Sequence, residues 1–185
     1  TGPTDGFYTI DGITYNTGEN YRTKERFDEY RDAGMTVYFP GLAVSYNGDE
    51  EPWEGSKAKG VFDEAAKAGL PFIICDLRIQ RLSAGYDLNG VFGEGPLATG
   101  TEGKSTFREN GHTGKFADEE ELDAYIEHCM KDYRKHEYFY GVQLMDEPNY
   151  MNLPATAQIY ASIKRVCPEA FVQYNLFPPI PSIGD

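Results

Sequence analysis

The residues with the clearest capacity for chemistry are Asp146 and Glu147. They end an apolar run, Gly141-Val142-Gln143-Leu144-Met145, and are followed by Pro148 and Asn149. A carboxyl group held at the end of a strand can protonate a leaving oxygen and later activate water. Glu147 is the candidate for that role; the alternative is an acid that caps the helix after it. Neighbours on an extended strand point to opposite faces. Asp146 is then a positioning residue that contacts substrate, or a structural acid paired with a cation. If both acids faced one cavity, their repulsion would raise one pKa and keep that carboxyl protonated near neutral pH.

Other polar residues also stand at the ends of apolar runs. Asp76 and Arg78 close "PFIICDLR" two residues apart, so on a continuing strand they share a face. A carboxylate and a guanidinium there could hold the hydroxyl groups of a sugar, or could pair with each other and order the loop. Asn175, in "QYNLFP", offers an amide that both donates and accepts, or serves as a turn residue before Pro178. Trp53, the one tryptophan, lies in "EEPWEG". Its indole could stack on a pyranose ring or plug the loop against the core. His112 and His136 have no neighbouring ligand spacing of a metal site, and neither a nucleophile elbow nor a phosphate-binding P-loop is present. No metal and no cofactor is expected.

Strands and helices alternate along the chain and would position these residues. Strands are expected at 7–10 or 7–14, and at 35–42, 71–78, 138–145 and 171–176. Helices are expected at 21–33, 55–68, from 118 to about 136, and at 154–166. In the second helix Ala58, Val61, Phe62 and Ala65 recur at helical spacing, with Gly69 as the breaker. The third opens on Asp118 with Glu121 three residues on, a capping-box arrangement, and carries the stripe Leu122, Tyr125, Ile126, Cys129, Met130, Tyr133. Pro154 suits a first helical position, and Ile159, Tyr160, Ile163 and Val166 give the fourth helix its core face. The glycine-rich stretch 79–117 reads as a long loop over the carboxyl-end face, either a lid or a surface insertion.

Such alternation implies an α/β fold with right-handed crossovers and a parallel sheet. No glycine-rich phosphate loop follows the first strand, which weighs against a dinucleotide fold. Polar residues ending successive strands favour a (β/α)8 TIM barrel, whose active sites lie at that end. Five strands and four helices make only part of a barrel. Residues 1–185 are therefore read as a single barrel domain, incomplete at its C-terminus, with the remainder supplied by the same longer chain or by a second chain.

The balance of 17 Lys and Arg against 30 Asp and Glu gives a net charge of −13, which repels phosphate backbones and anionic membrane surfaces. No nucleic-acid partner is expected, and no run is long enough for membrane insertion. Three cysteines without clustered spacing, Cys75, Cys129 and Cys167, read as buried thiols. No signal peptide is visible, and a chain opening on Thr1 reads as processed, trimmed or excerpted.

Three passages, "ERFDEYRDAGMTVYFP" at 25–40, "YIEHCMKDYRKHEYFYGVQLMDEPN" at 125–149 and "IYASIKRVCPEAFVQYNLFP" at 159–178, resemble the front half of a clan-A barrel glycoside hydrolase. The resemblance covers about three quarters of the chain. It implies retaining hydrolysis of a glycosidic bond, with Glu147 as the acid/base residue after the fourth strand. The nucleophilic Glu of that family follows a seventh strand, which this chain does not contain, so the chain alone is expected to be inactive. The family places Asn before the acid/base, where this chain has Asp146. A carbohydrate substrate is implied, and an extracellular or cell-surface setting is favoured. Two rivals are a non-catalytic carbohydrate-binding or surface protein with a degenerate barrel, and another barrel enzyme such as a sugar isomerase or lyase.

Overall fold

In the computed structural model, described over residues 5–10, 13–20, 22–84, 87–95, 115–146 and 150–175, the protein is a mixed α/β fold. A hairpin of β1 (Asp5–Ile10) and β2 (Ile13–Asn20) comes first, followed by a four-stranded parallel sheet. The sheet's strands are β3 (Ser45–Tyr46), β4 (Phe72–Asp76), β5 (Phe139–Asp146) and β6 (Phe171–Asn175), and their spatial order is β3-β4-β5-β6. Five helices accompany them: α1 (Lys24–Asp32), α2 (Lys57–Lys67), α3 (Leu77–Ser83), α4 (Glu119–Met130) and α5 (Leu153–Val166).

The strongest helical patterns form as expected. In α2 the buried residues are Ala58, Val61, Phe62 and Ala65, and Ser56 caps the helix by accepting from the Lys59 amide. Asp118 caps α4 by accepting from the Glu121 amide at 2.9 Å, while the Glu121 carboxylate reaches back to the amide of Ala117 at 2.7 Å. The whole expected stripe, Leu122 through Tyr133, is buried, although α4 itself ends at Met130 rather than near 136 and Tyr133 follows in a turn.

Several boundaries differ from the expectations. The first strand is not part of the parallel sheet; it pairs antiparallel with β2. The expected strand over 35–42 is reduced to one parallel bridge between Tyr38 and Phe72. Pro40 and Gly41, at φ 58°, then turn the chain into a short 3-10 helix (Gly41–Val44), and pairing resumes only at β3. Proline has no amide hydrogen for a ladder, and the left-handed region suits glycine. The third strand stops at Asp76 rather than Arg78, because Asp76 caps α3, a helix that reaches into the stretch expected to be loop. In α5 Ile159 and Ile163 are buried as expected, but Tyr160 is exposed.

One core joins all five helices to one face of the sheet. Tyr38, Phe72, Ile74, Val142 and Leu144 supply the sheet side, and Phe27, Phe62, Ile79, Ile126 and Ile159 come from the five helices in turn. The alternate strand residues Ile73, Cys75, Gln143 and Gln173 carry the parity of the opposite face. Cys75, Cys129 and Cys167 are all free and buried. Burial is the leading cause that pushes the Cys75 thiol up to about 12 and the Cys167 thiol up to about 11. At pH 8 the Cys75 thiolate fraction is then roughly one in ten thousand. Native protein treated with a thiol-reactive disulfide reagent at pH 8 should therefore label over hours, and urea-unfolded protein should give three thiols at once. A native thiol that reacts within seconds would overturn the packing described.

Candidate functional site

The expected cluster of Asp76, Arg78 and Asn175 around one cavity does not form among the described residues. Strand parity is the reason. Phe72 and Ile74 face the helices, so Asp76 faces them too, and it is 0% exposed. Its carboxylate accepts from the Arg78 amide at 2.9 Å, from Arg78 Nε at 3.1 Å, from an Arg78 Nη at 2.8 Å and from the Tyr133 hydroxyl at 3.1 Å. Arg78 is 2% exposed and also donates to the Cys129 carbonyl at 2.7 Å. Burial alone would lower the Arg78 pKa; the hydrogen bonds and charge of Asp76 more than offset this, and it is raised.

The guanidinium lies over the Tyr46 ring, 5.4 Å from its centroid, and a Cβ at Gly48 would come 2.4 Å from Arg78 Nη1. This pair orders the segment after β4, the second of the two roles open from the sequence, and neither group is available to a ligand.

Trp53 likewise points inward. It is 6% exposed, edge-on to Tyr46 at 5.1 Å, stacked with Phe62 at 6.4 Å and tilted against Tyr133 at 5.8 Å. It is a core plug rather than a sugar-stacking platform. Its fluorescence should be blue-shifted, resist acrylamide quenching and stay constant when carbohydrate is added. A red emission that responds to sugar would reverse this placement.

A cavity of about 410 Å³ lies on the face of the sheet that carries Gln143 and Gln173. Phe39, Pro40, Gly41 and Leu42 wall one side, and Gln143, Gln173 and Asn175 form the other. Gln143 and Gln173 are ladder partners, and Asp146 is the partner of Asn175 two steps further along the register. Gln143 is only 3% exposed, and the Oε1 atoms of both glutamines are buried without a hydrogen-bond partner. Asn175 therefore borders a cavity as expected. Asp146 is placed by its backbone at the end of β5, and Glu147, with Pro148 and Asn149, lies outside the described residues.

Sequence reasoning missed the glutamines. The signal was present: "VQLMD" at 142–146 and "VQYN" at 172–175 each put one glutamine inside an otherwise apolar strand.

No protein-family model, curated protein or solved structure matches this chain. The chemistry must therefore be argued from its own residues. Among the described residues no group of three or more His, Cys, Asp or Glu could hold a metal ion, and no helix is long and apolar enough to cross a membrane.

Proposed function

We propose that this chain is the front part of a (β/α)8 barrel of glycoside hydrolase type, with Glu147 as general acid and then general base. The observation that carries the reading is the strand order. The parallel strands run β3-β4-β5-β6 without reversal, and the helices join a single core on one face. A doubly wound sheet reverses its order and places helices on both faces, whereas a barrel keeps sequential order with its helices outside. Parallel sheets are covered on both faces, and Ile73, Cys75 and Gln143, on the face away from the helical core, are buried as well.

The β6 edge, which ends the sheet among the described residues, supports the same reading. Leu153, Thr156, Ala157, Tyr160 and Tyr174 line an open groove of about 490 Å³ beside β6, and Leu153, Tyr160 and Tyr174 are all exposed. A further strand–helix unit, from the same polypeptide or a second chain, would bury that groove and pair the β6 edge. Glu147 follows directly on β5, whose last residue is the ladder neighbour of cavity-lining Asn175. That position suits an acid serving a ligand at the carboxyl ends of the strands. The second carboxylate, needed about 5–5.5 Å away for retention, would come from the completing strands.

The test is to follow hydrolysis of a panel of aryl glycosides by the full-length protein with time-resolved proton NMR. The expected result is turnover in which the first-formed sugar keeps the anomeric configuration of the substrate. Binding of sugar without turnover would transfer the reading to a non-catalytic carbohydrate-binding protein.

A further inference from the structure

We propose that the face between the Gly41 turn and the Gln143–Gln173 pair binds a neutral, hydroxyl-rich ligand, with the two glutamine amides reading neighbouring hydroxyl groups of one ring. The inference deepens the reading above by naming what the site takes; it rests on that reading for the hydrolysis done nearby, but not for binding itself.

Two orphaned oxygens mark this face. A buried polar group without a partner costs on the order of 1–3 kcal/mol, and buried polar groups are as a rule hydrogen-bonded. Here two such oxygens belong to adjacent residues in one ladder, Gln143 and Gln173, and both residues line the same cavity. Each orphaned Oε1 calls for a donor, and the Nε2 beside it, itself a donor, is matched by an acceptor. A hydroxyl supplies both. A carboxylate or phosphate supplies no donor, and an ammonium supplies no acceptor.

Charge points the same way. The chain's net charge of −13 disfavours an anion. Adjacent strands lie about 4.8 Å apart, a spacing that lets two amide heads address hydroxyls on the same ring. Phe39 and Pro40, across the cavity, offer an apolar wall to the ring's C–H face. A volume of about 410 Å³ accommodates a small-molecule ligand of this kind.

The experiment uses the full-length protein labelled with 15N. The side-chain amide signals of Gln143 and Gln173 are assigned by their disappearance in Gln143→Leu and Gln173→Leu. Neutral methyl hexosides are titrated in, alongside glucuronate as the anionic and glucosamine as the cationic counterpart. The neutral hexoside should shift both amide signals, bind more tightly than either charged sugar, and lose about tenfold in affinity in each leucine variant. Gln143→Met, which keeps the length of the side chain but removes both polar atoms, provides the same comparison should a leucine variant fail to fold.

Unchanged affinity in folded variants, or no shift of either amide, would overturn the proposal and assign the glutamines to an interior polar layer. The two readings fail separately. Amide-dependent binding without hydrolysis would leave this site standing and remove the catalytic reading. Hydrolysis with a KM indifferent to both glutamines would do the reverse.

Discussion

Replacing Arg78 with methionine should destabilise the protein by about 3–5 kcal/mol. The substitution keeps much of the side-chain length but removes the cation from a carboxylate that has no access to water. Asp76 would lose two side-chain donors, keeping only the Arg78 backbone amide and the Tyr133 hydroxyl. The Cys129 carbonyl would lose a donor as well. Removing one partner of a buried pair is costly because the other stays behind as an uncompensated charge.

With a urea m-value of about 2 kcal/mol/M, the unfolding midpoint should fall by roughly 2 M. The double variant Asp76→Asn/Arg78→Met should recover a large part of that loss, since no charge is then stranded. A single variant within 1 kcal/mol of the parent, or a double variant no better than the single, would show that the pair is not the structural centre described. Tyr133→Phe, which removes one of four donors to Asp76, should cost only about 1 kcal/mol.

On the proposed glycoside hydrolase reading, Glu147→Gln in the full-length protein should lower the turnover of natural, poorly leaving glycosides by about 10²–10⁴-fold. The loss should be much smaller for glycosylation by an activated aryl glycoside. A general acid matters most where the leaving alkoxide is poor, because its proton offsets the developing negative charge. A phenolate with a low pKa departs unaided. Deglycosylation should still slow, since the same carboxylate must activate water, and a covalent glycosyl-enzyme should accumulate. Azide, which needs no general base, should restore turnover of the aryl substrate as the glycosyl azide. Natural-substrate hydrolysis that is indifferent to Glu147→Gln would make this residue a structural acid.

These two experiments probe carboxylates that looked alike in the sequence, each at the end of an apolar run. Asp76 follows "FIIC", in which every residue is apolar and the strand is buried throughout. Such a run carries no phase, so nothing in it says which face the last residue joins. The packing of Phe72 on Phe62, with ring centroids 4.2 Å apart, sets the phase and turns Asp76 toward the helices. The run before Asp146 is different, because Gln143 interrupts it and marks the face away from the helical core. Trp53 posed a similar ambiguity. Its loop position was legible, but which way the indole points depended on Tyr46, Phe62 and Tyr133, residues far apart in the chain.

The sequence by itself determined the α/β class and the helices with strong amphipathic stripes and caps, α2 and α4 above all. These rest on local periodicity and on side chains that satisfy nearby backbone groups. Burial of the three cysteines followed from the same patterns. The tertiary structure decided what depends on contacts between distant segments. It paired the first strand into a hairpin, cut the second strand short at Pro40, and turned the residues after Asp76 into α3. It also set two glutamines from different strands side by side on the face away from the helical core. Local sequence fixes which backbone can form; only the ladder register and the choice of buried face fix which side chains meet.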